Sequence, residues 1–114
     1  MNMKTINHSI SQTDLPIDLQ ILNISVNLSR VSQWVFDGYD TKKELIQRFM
    51  EQTENFISDL RDQKIHRYFK PTLERLESEF KDLKKIKINE ENKRYWAEKT
   101  LTWANILQHR AKLA

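Results

Sequence analysis

Between Asp14 and Asp37 the apolar residues fall into two interleaved patterns. Leu15, Ile17, Leu19 and Ile21, then Ile24, Val26 and Leu28, alternate with polar residues as in a half-buried strand, and the Asn, Ser and β-branched content suits a helix poorly. The same stretch sets Ile17, Ile21, Ile24, Leu28, Val31 and Val35 on one helical stripe at spacings of 4, 3, 4, 3 and 4. No second strand candidate exists to pair with the first, so the segment reads as a helix. At about 100° per residue, Leu15, Leu19, Leu22 and Val26 then lie opposite the main stripe. The first half of this helix is therefore apolar on two sides and must be covered on both, within a bundle or by another chain.

Three further amphipathic segments follow. Asp14, Leu15 and Pro16 resemble a helix start with proline in the first turn, and Gly38, the single glycine, stands after Asp37 where a left-handed helix-ending residue is expected. Thr41 and Glu44 form a capping-box pattern ahead of Ile46, Phe49, Thr53, Phe56 and Leu60, a face widened by Leu45, Met50 and Ile57. Pro71 predicts an end or a kink between Gln63 and Lys70. Leu73, Leu76, Phe80 and Leu83 then mark a short helix, with Glu77 placed to pair with Lys81. Asn89, followed by Glu90 and Glu91, reads as the cap of a last helix with Tyr95, Trp96, Trp103, Ile106 and Leu107 on one face. The expected fold is all-α: residues 1–13 a flexible polar arm, residues 14–114 one four-helix antiparallel bundle. The bundle is up-down or a pair of helical hairpins, and the second and third helices are separate or one long helix kinked near Pro71.

Composition narrows the chemistry. A chain of 114 residues with 39% hydrophobic and 31% charged residues is one water-soluble domain. The absence of cysteine removes disulfides, thiolate metal sites and a cysteine nucleophile. No apolar run exceeds three residues, as in Trp34, Val35 and Phe36, so no bilayer-spanning segment and no secretory leader is expected, and the cytoplasm is the expected location. Asn7, Asn23 and Asn27 begin N-x-S sequons that matter only outside the cell. One glycine cannot build a phosphate-cradling loop. None of His8, His66 and His109 has a Glu three residues before it, so no bundle metal site, and no cofactor, is expected.

Charged residues read mainly as solvated surface. Glu74, Glu77, Glu79 and Asp82 alternate with Lys81, Lys84 and Lys85 on the polar side of the third segment. Trp96 and Trp103 share a stripe and read as core, whereas Trp34 lies off the main stripe and is an interface candidate. A net charge of +3, from 19 cations among 16 anions, permits nucleic acid. Lys64, Arg67 and Lys70 with Lys84, Lys85 and Lys87 would meet RNA if the connection after the second helix folds them together.

The stretch Arg61 to Phe69, RDQKIHRYF, resembles the Arg-x4-His-x-Tyr signature of HEPN-domain proteins, the HepT toxins in particular, with Arg61, His66 and Tyr68 in the three defining positions. That resemblance implies a helical, dimerising fold and metal-independent RNA cleavage, with Arg61 stabilising phosphate charge and His66 assisting proton transfer. It also implies Tyr68 as a site of nucleotide addition by a partner antitoxin. On an unbroken helix, residues five apart diverge by about 140°, so Arg61 and His66 converge only where the backbone leaves the helix.

The reading of the residues themselves is a non-enzymatic helical interaction module, an adaptor or regulatory subunit. Its interface is Leu15, Leu19, Leu22, Val26 and Trp34, and its partner a second copy of the chain or another protein. A metal-independent ribonuclease using Arg61 and His66, and RNA binding without cleavage, are the alternatives.

Overall fold

The computed structural model describes residues 12–114 and contains four α-helices: α1, Ile17–Gly38; α2, Lys43–Arg61; α3, Lys70–Lys85; and α4, Lys93–Arg110. A 3-10 turn, Ala111–Leu113, closes the chain. No strand occurs among the described residues, and the alternating pattern of residues 15–28 is helical. Ile21, Ile24, Leu28, Val31 and Val35, spaced 3, 4, 3 and 4, are at most 1% exposed, so this stripe is the core-facing one. Leu60, Thr53 and Phe56 of α2, the four apolar residues of α3, and Trp96, Trp103 and Leu107 of α4 complete one core. Tyr95 departs from the expected face and is exposed; it precedes Trp96 by one residue, so the two side chains point about 100° apart and only Trp96 reaches the interior.

Hydrogen bonds between helices fix the bundle's registers. Ser25 Oγ donates to the Ala104 carbonyl at 2.7 Å and Ser32 Oγ to the Ala97 carbonyl at 2.6 Å. Seven residues forward on α1 correspond to seven residues back on α4, so the two helices are antiparallel, and small residues on both sides let the backbones approach closely. Asn27 to Gln52 joins α1 to α2, the Lys84 to Glu54 and Arg61 to Glu77 ion pairs join α2 to α3, and Trp96 to the Leu83 carbonyl joins α3 to α4. Each adjacent pair is antiparallel, giving an up-down four-helix bundle.

The helix ends depart from several expectations. Pro16 is the cap residue of α1, its carbonyl accepting from Leu19 and Gln20, rather than a member of the first turn. Gly38 closes α1 in the right-handed region, and no described residue has positive φ. A Cβ added at Gly38 would meet Thr41 Oγ1 tightly, at 3.0 Å, and that hydroxyl donates to the Gly38 carbonyl. α2 starts at Lys43 with Lys42 as its cap residue, so Thr41 stands one residue too early to be the cap, the Thr41–Glu44 capping box does not form, and Lys42 caps α2 without a side-chain bond. Pro71 neither kinks nor joins the middle helices. The chain leaves the helix at Asp62, and Pro71 sits in the first turn of α3, where a missing N–H is without cost. Asn89 caps a tight turn through the Glu91 and Asn92 amides, and α4 starts after Asn92.

The packed structure begins earlier than residue 14. Gln12 is buried, bonds the Gln20 carbonyl and accepts from Asn23. The rest of the expected arm, with His8 and the sequon at Asn7, lies outside the described residues. Of the other sequons, Asn23 is exposed and Asn27 is buried against Gln52 and Thr53.

Candidate functional site

The stretch that carries Arg61, His66 and Tyr68 spans the end of α2 and the connection to α3. Ile65 and Phe69 anchor that connection in the core, at 6% and 0% exposure, which turns the residues around them outward. Arg61, the last residue of α2, bonds Glu77 of α3 at 2.8 Å and Ser58 at 3.2 Å, and lines a groove of about 280 Å³ with Glu54, Phe80 and Lys81. His66 engages different groups. Its backbone N–H donates to the Ala114 carbonyl, and its Nδ1 accepts from the Tyr68 amide at 3.2 Å, which places the neutral imidazole's proton on Nε2. The imidazole and the Tyr68 ring lie 4.8 Å apart, and the Arg67 guanidinium covers the other ring at 5.1 Å. The backbone does leave the helix between Arg61 and His66, yet the guanidinium turns to a carboxylate on α3 while the imidazole packs beside Tyr68. The cation that accompanies His66 is Arg67.

The two basic groups, which would meet RNA only if the connection folded them together, are separated. Lys64, Arg67 and Lys70 stand before or at the start of α3, and Lys84, Lys85 and Lys87 at its far end, about 22 Å away along the helix. Lys84 is also paired with Glu54 at 2.6 Å.

The carboxylates of α3 divide by position rather than forming one solvated face. Glu77 pairs with Arg61 across helices instead of with Lys81. Glu79, half-buried, accepts from the Trp103 indole at 2.8 Å and pairs with Lys99 at 3.2 Å and Arg75 at 3.7 Å. The indole hydrogen bond, with the Lys99 and Arg75 charges, holds its carboxyl below the usual range, and Glu79 in turn raises Lys99. This cluster latches α3 to α4. Charge alternation alone hid it, but the placement of Trp103 on an apolar stripe with an indole N–H that needs an acceptor was a usable signal. Among the described residues no group of three His, Cys, Asp or Glu side chains is arranged to hold a metal ion.

The outer face of α1 is the other place the sequence marks. Leu15, Leu19 and Val26 are 39%, 44% and 45% exposed, and lie opposite the buried stripe. Leu22 is half-buried and packed against the core. Trp34 is also half-buried, its ring meeting Phe49 of α2 edge-on at 5.0 Å, so much of its apolar surface is covered within the chain. Leu101 of α4, three residues before Ala104, is also exposed, at 42%. Among the described residues no helix is long and apolar enough to cross a membrane. Comparison with protein-family models, with curated proteins and with solved structures finds no match to this chain.

Proposed function

We propose that the chain is a non-enzymatic helical interaction module that self-associates through the outer face of α1. The observation that carries this reading is the exposure of Leu15, Leu19 and Val26 on a face whose polar members are mostly uncharged, Asn23, Ser29 and Gln33. Within α1, Leu19, Leu22 and Val26 recur at spacings of 3 and 4, the pattern of a helix-pairing seam about 10 Å long, and Leu15 lies just before the helix.

An antiparallel pairing of two copies suits this seam. A two-fold axis between Leu19 and Leu22 sets Leu19 against Leu22 of the second copy and Leu15 against its Val26. Arg30, the sole cation of α1, is then carried toward the acidic end of the second copy, marked by Asp14 and Asp18. Opposed helix dipoles favour the same orientation.

The supporting experiment is sedimentation velocity on the parent and on Leu19→Asp and Val26→Asp, with circular dichroism to confirm that each remains helical. A dimeric parent and monomeric, folded variants are expected. A parent that stays monomeric across the attainable concentration range, or variants as associated as the parent, would remove the reading.

The signature-like residues lend less to a catalytic reading. Arg61 is engaged by Glu77, and His66 shares its surroundings with Tyr68 and Arg67 rather than with Arg61.

A further inference from the structure

Away from the outer face of α1, the first half of α2 and the connection between α3 and α4 enclose a groove of about 550 Å³. Its floor is apolar: Ile46, Met50, Leu83 and Trp96, each no more than 7% exposed, with Ile86 and Ile88 half-buried at the sides. The indole N–H of Trp96, the floor's polar group, is spent on the Leu83 carbonyl at 3.0 Å, so the floor offers an apolar surface with no donor seeking water.

One wall is built in advance. Asn92 Nδ2 donates to the Lys87 carbonyl, Asn92 Oδ1 accepts from the Asn89 amide, and Asn89 Oδ1 accepts from Glu91 and Asn92. These bonds hold residues 87–92 as a tight turn, so the groove does not depend on a ligand to shape it.

The rim carries more cations than anions. Lys43, Lys84 and Lys87 face it with Glu51 and Glu54, three cations against two anions. Lys84 and Glu54 neutralise each other at 2.6 Å, and Gln47 donates to Glu51 at 3.3 Å. Lys43 and Lys87 are exposed and enter no ion pair among the described residues. Lys93, outside the groove and paired with Glu90 at 3.2 Å, lies 5.9 Å over the ring of Tyr39, a lining residue.

We propose that this groove binds a medium-chain acyl carboxylate, its chain along Ile46, Met50 and Trp96 and its carboxylate between Lys43 and Lys87. The α2 wall from Lys43 to Glu54 runs about 16 Å, long enough for an extended chain of about ten carbons. A dry apolar floor with a few cations at its edge is what such a ligand requires.

The test is titration of the full-length protein with decanoate, decyltrimethylammonium and decanol, followed by methyl resonances of Ile46, Ile86 and Ile88. Decanoate is expected to bind with a Kd of about 0.1 mM, and the cation at least about tenfold more weakly. Lys43→Glu/Lys87→Glu, checked for an unchanged thermal midpoint, is expected to abolish the preference for the anion while still taking up decanol. Methyl groups unmoved at millimolar decanoate, equal affinity for anion and cation, or an undiminished preference in the double variant would overturn the proposal. So would an acidic amphipathic peptide that displaces decanoate with higher affinity, since the groove would then belong to a protein partner.

Discussion

Gln20 and Gln63 exchange two amide hydrogen bonds across the bundle, Gln20 Nε2 to Gln63 Oε1 at 2.9 Å and Gln63 Nε2 to Gln20 Oε1 at 2.7 Å. Gln20 is fully buried, and the same two amides also reach the Leu15 and Asp59 carbonyls. The pair therefore ties the entry of α1 to the exit of α2, and it fixes where the chain, having passed Arg61, leaves α2 toward His66. Among the described residues no buried side-chain nitrogen or oxygen lacks a partner, so removing half of such a pair leaves an uncompensated group.

Gln20→Ala is expected to lower stability by about 1 to 3 kcal/mol. Gln20→Leu with Gln63→Leu should cost less than the sum of the two single changes, because the double variant strands neither amide. Urea unfolding of the four proteins measures the coupling. Strict additivity would mean that the reciprocal bonds contribute nothing.

The α1–α4 seam tests close approach. Ser32→Ala loses one buried bond, at about 1 kcal/mol. Ala104→Leu, at 2% exposure beside Ser25, must force the helices apart and is expected to cost more, up to about 3 kcal/mol. Thermal melts rank the two; a larger loss from Ser32→Ala would show that the seam has room to spare.

Glu79 makes stability depend on acid. Its folded carboxyl titrates below the ordinary value of 4.5, so its contribution is fully present above that pH and is lost as pH falls through the folded value. Lys99, raised by the same contact, contributes below its ordinary value of 10.5 and loses that contribution as pH rises further. Glu79→Gln keeps an acceptor for the Trp103 indole but removes the charge. Its stability should fall less steeply than the parent's on acidification below about pH 5, with the two curves converging at low pH. Parallel curves would show that the carboxylate's charge is idle.

Arg61→Ala and His66→Ala are expected to leave an RNA-degradation assay indistinguishable from the parent, since their side chains engage separate partners. Arg61→Ala should change stability by no more than about 1 kcal/mol, its ion pair with Glu77 being exposed on the arginine side. Parent activity on RNA that vanishes in both variants would restore the reading implied by the signature.

The sequence by itself determined the fold class and the inward faces. Ile21, Ile24, Leu28, Val31 and Val35 are buried because a period of 3.6 can be met only by a helix laid on a core, and four such segments with short connections leave few arrangements. Helix ends were legible only roughly. Thr41, Asn89 and Gly38 each had two competing local bonding schemes, and the neighbouring turns selected among them. Tertiary structure alone decided which polar groups meet. It turned Arg61 to Glu77, gave Glu79 to Trp103, paired Gln20 with Gln63 and placed Lys43 and Lys87 on the rim of one groove. A helical stripe reports direction from the axis, but contacts between side chains on different helices depend on register and rotation, which are set when all four helices pack at once.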